Sequence, residues 1–192
     1  MGNILEYENI DRELAARLVA LRQRSGLTLD DVAASSGISR ATLSRIERGD
    51  TSPTAHVLGR LCASYNVTMS QLLLAAEEDA PRLIPRIDAA VWNDRDTGFV
   101  RTAISPPARG YDIELVWGEL PSGATIEYDA PPSPGMEKHI VLFEGKLQLT
   151  LGNAEYQLSR NDCLRIKVHS EISFHNPGRG CARYLVAVRK PT

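Results

Sequence analysis

The chain has 192 residues, of which 22 are basic and 24 acidic, and its isoelectric point lies near 6.1. This balance excludes a uniformly cationic nucleic-acid coat, so any binding to nucleic acid has to come from a local patch. The sequence shows no signal-peptide pattern and no apolar run of bilayer length, and its three cysteines lack the spacing of metal ligands. We therefore expect a cytoplasmic protein without a membrane partner.

Two short helical patterns lie within residues 28–49, which read TLDDVAASSGISRATLSRIERG. The first pattern ends at Gly37, because glycine readily adopts the left-handed backbone conformation that ends a helix. The second pattern follows Ser39, a favoured N-cap residue, and turns Leu43 and Ile46 inward. The sequence therefore predicts two helices joined by a tight turn.

The outward side of the second helix carries residues of the kind that contact DNA. Arginine can pair bidentately with guanine, and Arg40 and Arg45 lie about a turn and a half apart on the part of the helix that does not face the core. Thr42 and Ser44 can donate to phosphate oxygens, whereas Ala41 leaves room for a thymine methyl group. The alternative is a helix face that is merely solvated. We predict DNA contacts from Thr28, Leu29, Ser39, Arg40, Ala41, Thr42, Ser44, Arg45 and Arg48.

Three further helical patterns complete a five-helix domain that we predict over residues 10–75. One precedes the pair and carries leucines at spacings of four and three, one follows Pro53, and the last is capped by Thr68 and runs to Leu74. Residues 76–98 contain three adjacent acids and two prolines, which predict a linker and a lead-in strand.

Residues 21–49, together with the following Ser-Pro-Thr at 52–54, resemble the helix-turn-helix of the XRE family of bacterial and phage repressors. The resemblance implies a lambda-repressor-like DNA-binding domain. Leu29 stands where relatives usually have glutamine, so one habitual contact to the phosphate backbone is missing. Arg22 and Glu47 match positions that pair across the domain in this family, which implies an architectural role for both.

Short apolar or alternating runs dominate residues 99–190, and turn pairs such as Glu144-Gly145 separate them. Many short strands at close spacing predict a small antiparallel barrel or jelly roll. The stretch HIVLFEGKLQLTLGNAEYQLSRND, followed by FHNPG, resembles a cupin barrel. The predicted fold class is therefore a two-domain α + β chain, with a five-helix helix-turn-helix domain followed by an antiparallel cupin (jelly-roll) barrel.

Cupin enzymes hold a metal with two histidines and a glutamate before the glycine that is Gly145 here, and with a histidine four residues before Asn176. The glutamate position holds Lys138, the last histidine position holds Ile172, and the first two histidine positions fall within residues 131–134, which hold only proline and serine. An ammonium and a hydrocarbon cannot ligate a divalent metal. We therefore predict no metal, no cofactor and no enzymatic activity.

A cupin barrel without a metal still offers a concave pocket with apolar walls and a few polar groups. Arginine could pair with a carboxylate and glutamate with an ammonium, so an amino acid or a small organic acid is the predicted effector. Strand alternation separates two faces of a sheet without saying which is inner. The candidate pocket residues are Arg101, Tyr128, Glu137, His139, Arg165 and Tyr184.

Together these features predict a sequence-specific, DNA-binding transcriptional regulator. Two recognition helices related by a two-fold axis match a palindromic operator, so we expect a homodimer supported by the barrel. The linker over residues 76–85 would transmit effector binding. Two alternatives stay open: a metal-dependent cupin enzyme tethered to DNA, with a shifted site at His139, His169 and His175, or an antitoxin-like protein-interaction module.

Overall fold

A computed structural model describes residues 4–73, 81–130 and 135–189, with residues 4–10 described by their backbone alone. The predicted five helices are confirmed, although the first begins at Ile4 rather than at residue 10. Leu74, the predicted last residue of the fifth helix, lies outside the described residues. The helices are α1 (Ile4–Arg24), α2 (Leu29–Ser36), α3 (Arg40–Glu47), α4 (Ala55–Tyr65) and α5 (Met69–Leu73).

Local hydrogen bonds fix where α2 and α3 begin and end. The hydroxyl of Thr28 accepts from the Asp31 backbone N–H at 3.2 Å, and the Asp31 carboxylate accepts from the Thr28 backbone N–H at 2.8 Å. This capping box satisfies two N–H groups that the helix leaves unpaired. Gly37 ends α2 with a left-handed φ of 63°. Ser39 then caps α3 by accepting from the Thr42 backbone N–H at 3.1 Å.

The described part of the chain after the helices forms two antiparallel sheets. Their strands are β1 (Val91–Asn93), β2 (Val100–Ser105), β3 (Ile113–Leu120), β4 (Thr125–Tyr128), β5 (Met136–Glu144), β6 (Leu147–Leu151), β7 (Ala154–Leu158), β8 (Cys163–Val168), β9 (Ile172–His175) and β10 (Ala182–Arg189). One sheet has the order β1-β2-β3-β10-β5-β8 and the other β4-β9-β6-β7.

The inner faces of the two sheets pack against each other. Phe174 of β9 stacks on Tyr184 of β10, with ring centroids 5.8 Å apart, and Tyr128 of β4 meets Phe174 edge to face at 6.2 Å. The contact of Phe174 with Tyr184 crosses from the four-stranded to the six-stranded sheet, whereas that of Tyr128 with Phe174 lies within the four-stranded sheet. The arrangement is a jelly-roll sandwich of two open sheets, which confirms the predicted architecture without a fully closed barrel.

Helix α4 packs closely against strand β4 at one end of the sandwich. A Cβ atom at Gly59 would lie 2.9 Å from the Tyr128 ring, so the absence of a side chain at Gly59 permits this approach. The first N–H group of α4, at Ala55, donates to the carboxylate of Asp94 at 3.0 Å. The sandwich therefore satisfies one of the unpaired N–H groups at the start of this helix.

Buried polar contacts join the last helix to the six-stranded sheet. The Thr68 hydroxyl donates to the carboxylate of Glu114 on β3 at 2.9 Å. The guanidinium of Arg101 on β2 donates to the Ser70 hydroxyl at 2.6 Å. All four residues are less than 9% exposed, so water is largely excluded from these contacts. Each partner would be costly to leave without the other.

The predicted pair between Arg22 and Glu47 is present and joins α1 to α3. The guanidinium donates to both carboxylate oxygens, at 2.7 and 2.8 Å, and also to the Leu27 carbonyl at 3.3 Å. The side chains of Arg22 and Glu47 are 18% and 11% exposed. The hydrogen bonds that Arg22 donates to Glu47 raise the pKa of the Arg22 guanidinium. This bidentate pair fixes α3 against α1.

We expect Glu47→Ala to lower the free energy of unfolding by about 3 kcal/mol, because the substitution leaves a largely buried guanidinium without its anion. Chemical denaturation of both proteins at pH 7 measures the difference. Asp50→Ala is the matched control, since its ion pair with Arg48 is exposed and such pairs contribute about 0.2–1 kcal/mol. A loss for Glu47→Ala no greater than that of the control would contradict the architectural role.

Candidate functional site

The outward side of α3 presents three arginines that differ in their hydrogen-bond and ion-pair partners. Arg40 forms an ion pair with Asp30 at 3.2 Å, which shows that the beginnings of α2 and α3 lie side by side. Arg48 is held by Asp50 at 2.8 Å and by the Ser44 hydroxyl at 2.6 Å. The side chain of Arg45 forms no hydrogen bond or ion pair with any residue that the structure describes, and it is exposed.

The other predicted DNA-contacting residues lie on the same surface, and one of them, Leu29, differs from the rest in its contacts. Ala41 is exposed, Thr42 is partly exposed, and the Ser39 hydroxyl lies 2.8 Å from the Thr42 hydroxyl. The Thr28 hydroxyl is exposed but bonded to Asp31. Leu29 is only partly exposed and packs against the hydrophobic core, so it offers little to a phosphate.

A cavity of about 570 Å³ lies between the inner faces of the two sheets and helices α4 and α5. Gly59, Cys62 and the turn from Asn66 to Met69 contribute the helical side of its wall. The sheets contribute mainly apolar and aromatic side chains, including Val116, Ile172 and Phe174. Its size and lining are typical of a small-molecule site. Both domains are needed to form the wall.

The structure brings together three of the six predicted pocket residues. Arg101, Tyr128 and Tyr184 line the cavity, and the deep burial of the two tyrosines raises the pKa of both hydroxyls, which therefore stay protonated as potential donors.

The assignment of Glu137, His139 and Arg165 to the pocket was wrong. Successive residues of a strand face opposite sides of the sheet, and β5 turns Lys138 toward the cavity, so Glu137 and His139 point outward. They bond to each other at 2.8 Å, and this hydrogen bond lowers the pKa of the Glu137 carboxyl. Arg165 lies opposite His139 in the strand register and is exposed.

Lys138 is the pocket residue that the sequence argument missed. Its position corresponds to the inward-facing glutamate of cupin metal sites, and that correspondence was the signal that could have identified it. The ammonium Nζ lies 5.6 Å from the Tyr128 ring centroid and 5.9 Å from that of Phe174. No carboxylate among the described residues lies within 4 Å of it.

The cavity environment disfavours the charged form of this lysine. Burial away from water lowers the pKa of Lys138 to about 8, and the positive charge of Arg101 acts in the same direction, whereas Cys62 opposes them weakly. Lys138 keeps part of its surface accessible because it faces the cavity rather than packed atoms. It is therefore a cation that neither bulk water nor an anionic neighbour stabilises.

Arg101 and Glu114 balance each other within the wall of the same cavity. They are 7% and 8% exposed. Burial lowers the pKa of the Arg101 guanidinium, while Tyr128 and Glu114 oppose that shift. Arginine nevertheless stays protonated in proteins. Arg101 thus has Ser70 as its hydrogen-bond acceptor and the negative charge of Glu114 acting in its favour, whereas no carboxylate acts in this way on Lys138.

The residues of the cavity do not fit the metal that cupin enzymes hold. Lys138 and Ile172 occupy two of the ligand positions and line the cavity, and neither side chain can ligate a divalent cation. The other two positions fall within residues 131–134, outside the described part of the chain. Within the described part, no three side chains of His, Cys, Asp or Glu lie together as a metal site would require.

The alternative triad is dispersed rather than clustered. His139 lies on the outer face of the six-stranded sheet, whereas His175 belongs to the other sheet and bonds to Thr125 at 2.9 Å. His169 follows β8 and is exposed.

Among the described helices, none is both long and apolar enough to cross a membrane.

Comparison with known proteins identifies the first domain. The family described as "Helix-turn-helix domain" matches residues 13–75. Residues 13–75 are a helix-turn-helix domain. Their counterpart in the HTH-type transcriptional regulator DdrOP3 of Deinococcus deserti is 42% identical over 65 residues, which cover 34% of this chain and 50% of DdrOP3.

Other matches extend beyond the helix-turn-helix domain to nearly the whole chain. The HTH-type transcriptional regulator SutR of Escherichia coli K12 is 26% identical over 188 residues, covering 96% of this chain and 98% of SutR. The crystal structure of an HTH_3 family transcriptional regulator from Vibrio cholerae aligns with a TM-score of 0.78 at 20% identity, covering 96% and 99% of the two chains. The predicted resemblance to helix-turn-helix transcriptional regulators is thereby confirmed.

We expect Lys138→Met to raise the free energy of unfolding at pH 7 by about 2 kcal/mol. A pKa shift gives ~1.4 kcal/mol per unit, and the lost cation–π contacts offset part of the gain. The folded-state pKa lies below that of the unfolded chain, so the wild type gains stability as pH rises from about 8 to 10.5, and the advantage of the variant shrinks over that window.

Denaturation at pH 7 and pH 9.5 measures this difference. Lys146→Met removes an exposed lysine and is the matched control, for which we expect little change in stability at either pH. Two outcomes would show that the charged Lys138 ammonium does not destabilise the fold: destabilisation by Lys138→Met at pH 7, or a difference in the free energy of unfolding that does not change with pH.

Proposed function

We propose that this protein is a sequence-specific, DNA-binding transcriptional regulator whose cupin-like domain binds a small effector, an amino acid or small organic acid, and joins two chains. The observation that carries the proposal is a rigidly capped α3 with exposed arginines inside a helix-turn-helix domain. We divide the chain into a DNA-binding domain at 10–75, a linker and lead-in strand at 76–98 and a sensor domain at 99–190. Chromosomal DNA as the target implies action in the cytoplasm.

In this proposal α3 lies in the major groove and Arg45 reads base edges. Its guanidinium has no intramolecular partner among the described residues, so no existing contact has to be broken before it pairs with a guanine. Arg40 would first have to leave Asp30, or use the donors which that ion pair does not occupy. Arg48 is held by Ser44 and Asp50, which favours a positioning contact to phosphate over base reading.

The outer surface of the six-stranded sheet supports a homodimer. One recognition helix reads only a few base pairs, so a second copy about 34 Å away is the partner that the DNA geometry calls for. Trp117 and Phe143 contact each other on this surface at 5.4 Å, and Phe143 is 43% exposed. We name this surface the outer apolar face; it comprises Leu115, Trp117, Val141, Phe143 and Leu185.

The rim of the outer apolar face is polar and already paired within the chain. Arg183 donates to Glu119 at 3.1 Å and also to Glu144. An apolar centre with a polar rim is the usual anatomy of an interface between protein subunits. A two-fold axis through this face would bring the same apolar patch of both copies together.

Effector binding can reach the recognition helix through direct contacts between the domains. Asp129, at the cavity wall, forms an ion pair with Arg60 of α4 at 3.6 Å. The Arg60 guanidinium packs against Gly37, so closely that a Cβ atom at Gly37 would overlap it. Gly37 forms the turn between α2 and α3. The proposed linker route over 76–85 is additional, and its residues 76–80 lie outside the described part of the chain.

The cavity also bears on the two alternative functions. A walled apolar cavity favours effector binding over a pure protein-interaction module, which needs none. A tethered metal enzyme would need ligands that Lys138 and Ile172 do not supply. Either alternative would also leave the exposed arginines of α3 without a role beyond tethering.

We expect Arg45→Ala to cost about 1–3 kcal/mol of operator binding and to relax base preference at one operator position. Binding titrations against a set of single-base operator variants measure both effects. Arg24→Ala is the control, because a phosphate contact from the end of α1 would weaken all sequences alike and reduce the salt dependence. If Arg45→Ala lowers the affinity for all operator variants equally, Arg45 contacts phosphate and does not read a base.

We expect Phe143→Glu to convert the dimer to a monomer, because it buries a carboxylate at the centre of the outer apolar face. Sedimentation velocity at several protein concentrations reports the change, and operator affinity should fall with it. Tyr156→Glu places the same charge at an exposed aromatic residue of the other sheet and should leave the association state unchanged. A stable dimer of Phe143→Glu would exclude this face as the interface.

A further inference from the structure

The charges that line the cavity do not cancel. Asp129 pairs with Arg60, and the negative charge of Glu114 opposes the positive charge of Arg101 inside the wall. Lys138 remains as the cation for which the described residues provide aromatic faces but no carboxylate. The interior of the cavity therefore carries one uncompensated positive charge within an apolar wall.

We infer that the cavity selects a small organic monoanion, a monocarboxylate with an aromatic or aliphatic body, and that Lys138 is the residue that anchors its carboxylate. This inference rests on the proposed role of the cavity as an effector site and narrows it. The carboxylate of the bound ligand supplies the negative charge that Lys138 lacks, and this removes the free-energy cost of a buried unpaired charge.

The remaining lining matches the body of such a ligand. Phe174, Ile172 and Val186 present hydrocarbon to the cavity, and the rings of Tyr128 and Phe174 already lie beside the ammonium. The Tyr128 and Tyr184 hydroxyls stay protonated and can donate hydrogen bonds, as an anion requires. A ligand with an anionic end and an apolar body therefore meets a complementary surface at both ends.

The same charges disfavour other ligand classes. A diamine or other organic cation would bring a second positive charge next to Lys138 and close to Arg101, which is repulsive in an apolar cavity. A dianion, such as a phosphate monoester, would bring one negative charge more than the cavity can compensate. A zwitterionic amino acid would need an acceptor for its ammonium, and Glu114 is already engaged by Thr68. Of the two proposed effector classes, the organic acid is favoured.

Isothermal titration calorimetry with the full chain tests this inference. The probes are phenylacetate, indole-3-acetate and octanoate, compared with phenylacetamide as the neutral isostere and 2-phenylethylamine as the cation, all at pH 7. We expect at least one acid to bind, phenylacetamide to bind at least tenfold more weakly than phenylacetate, and the amine not to bind.

Two variants of Lys138 assign the effect to this residue. Lys138→Met should lose at least tenfold in affinity for the acids while its affinity for phenylacetamide stays within about threefold, which a misfolded pocket would not show. Lys138→Arg preserves the charge and should retain most of the acid binding. Acid affinity that survives in Lys138→Met, amine binding as tight as acid binding, or no binding by any of the three acids would each overturn the inference.

The result also separates this inference from the proposed function. If the acids bind through Lys138 but leave operator affinity unchanged, the ligand class stands and the effector role of the cavity fails. If a cation or a neutral molecule changes operator affinity instead, the effector role stands and the monocarboxylate assignment fails.

Discussion

The rest of the structure depends on one constraint, the closure of one end of the β-sandwich by helices α4 and α5. Buried polar groups hold this closure: Glu114 accepts from Thr68, and Arg101 donates to Ser70. Separating the domains would leave a carboxylate and a guanidinium without these partners in apolar surroundings, which is costly. The helical domain and the sandwich therefore share one cavity wall, and under the proposed function a ligand in the cavity would contact the domain that carries α3.

Lys138 lies in the proposed effector cavity, at the position that the resemblance to cupin enzymes gives to a metal-binding glutamate. The same backbone direction here points an ammonium into the cavity. An unpaired buried cation makes folding less favourable. Residues that destabilise a fold in this way are expected mainly at functional sites. The position thus keeps its inward direction while the sign of its charge changes, and with it the class of ligand that the site can hold.

The features that sequence could predict are the local ones. Gly37 and Ser39 define the turn between α2 and α3 because caps and turns depend on neighbouring residues alone. The pocket could be predicted only in part, because alternation along β5 defines two faces without identifying the inner one, and Glu137 and His139 were assigned to the wrong face. The contact of Thr68 with Glu114 joins residues 46 positions apart and carries no local signature.

The most direct test of the central claim is a fluorescence anisotropy titration of the intact protein at fixed salt. It compares duplex DNA from upstream of its own gene with the same bases scrambled, each with and without the acid that binds most tightly among phenylacetate, indole-3-acetate and octanoate. The account predicts that the natural duplex binds at least about a hundredfold more tightly and that the acid changes this affinity at least about fivefold, within the usual range of coupling between sites. Equal affinity for both duplexes, whether or not the acid is present, would contradict it.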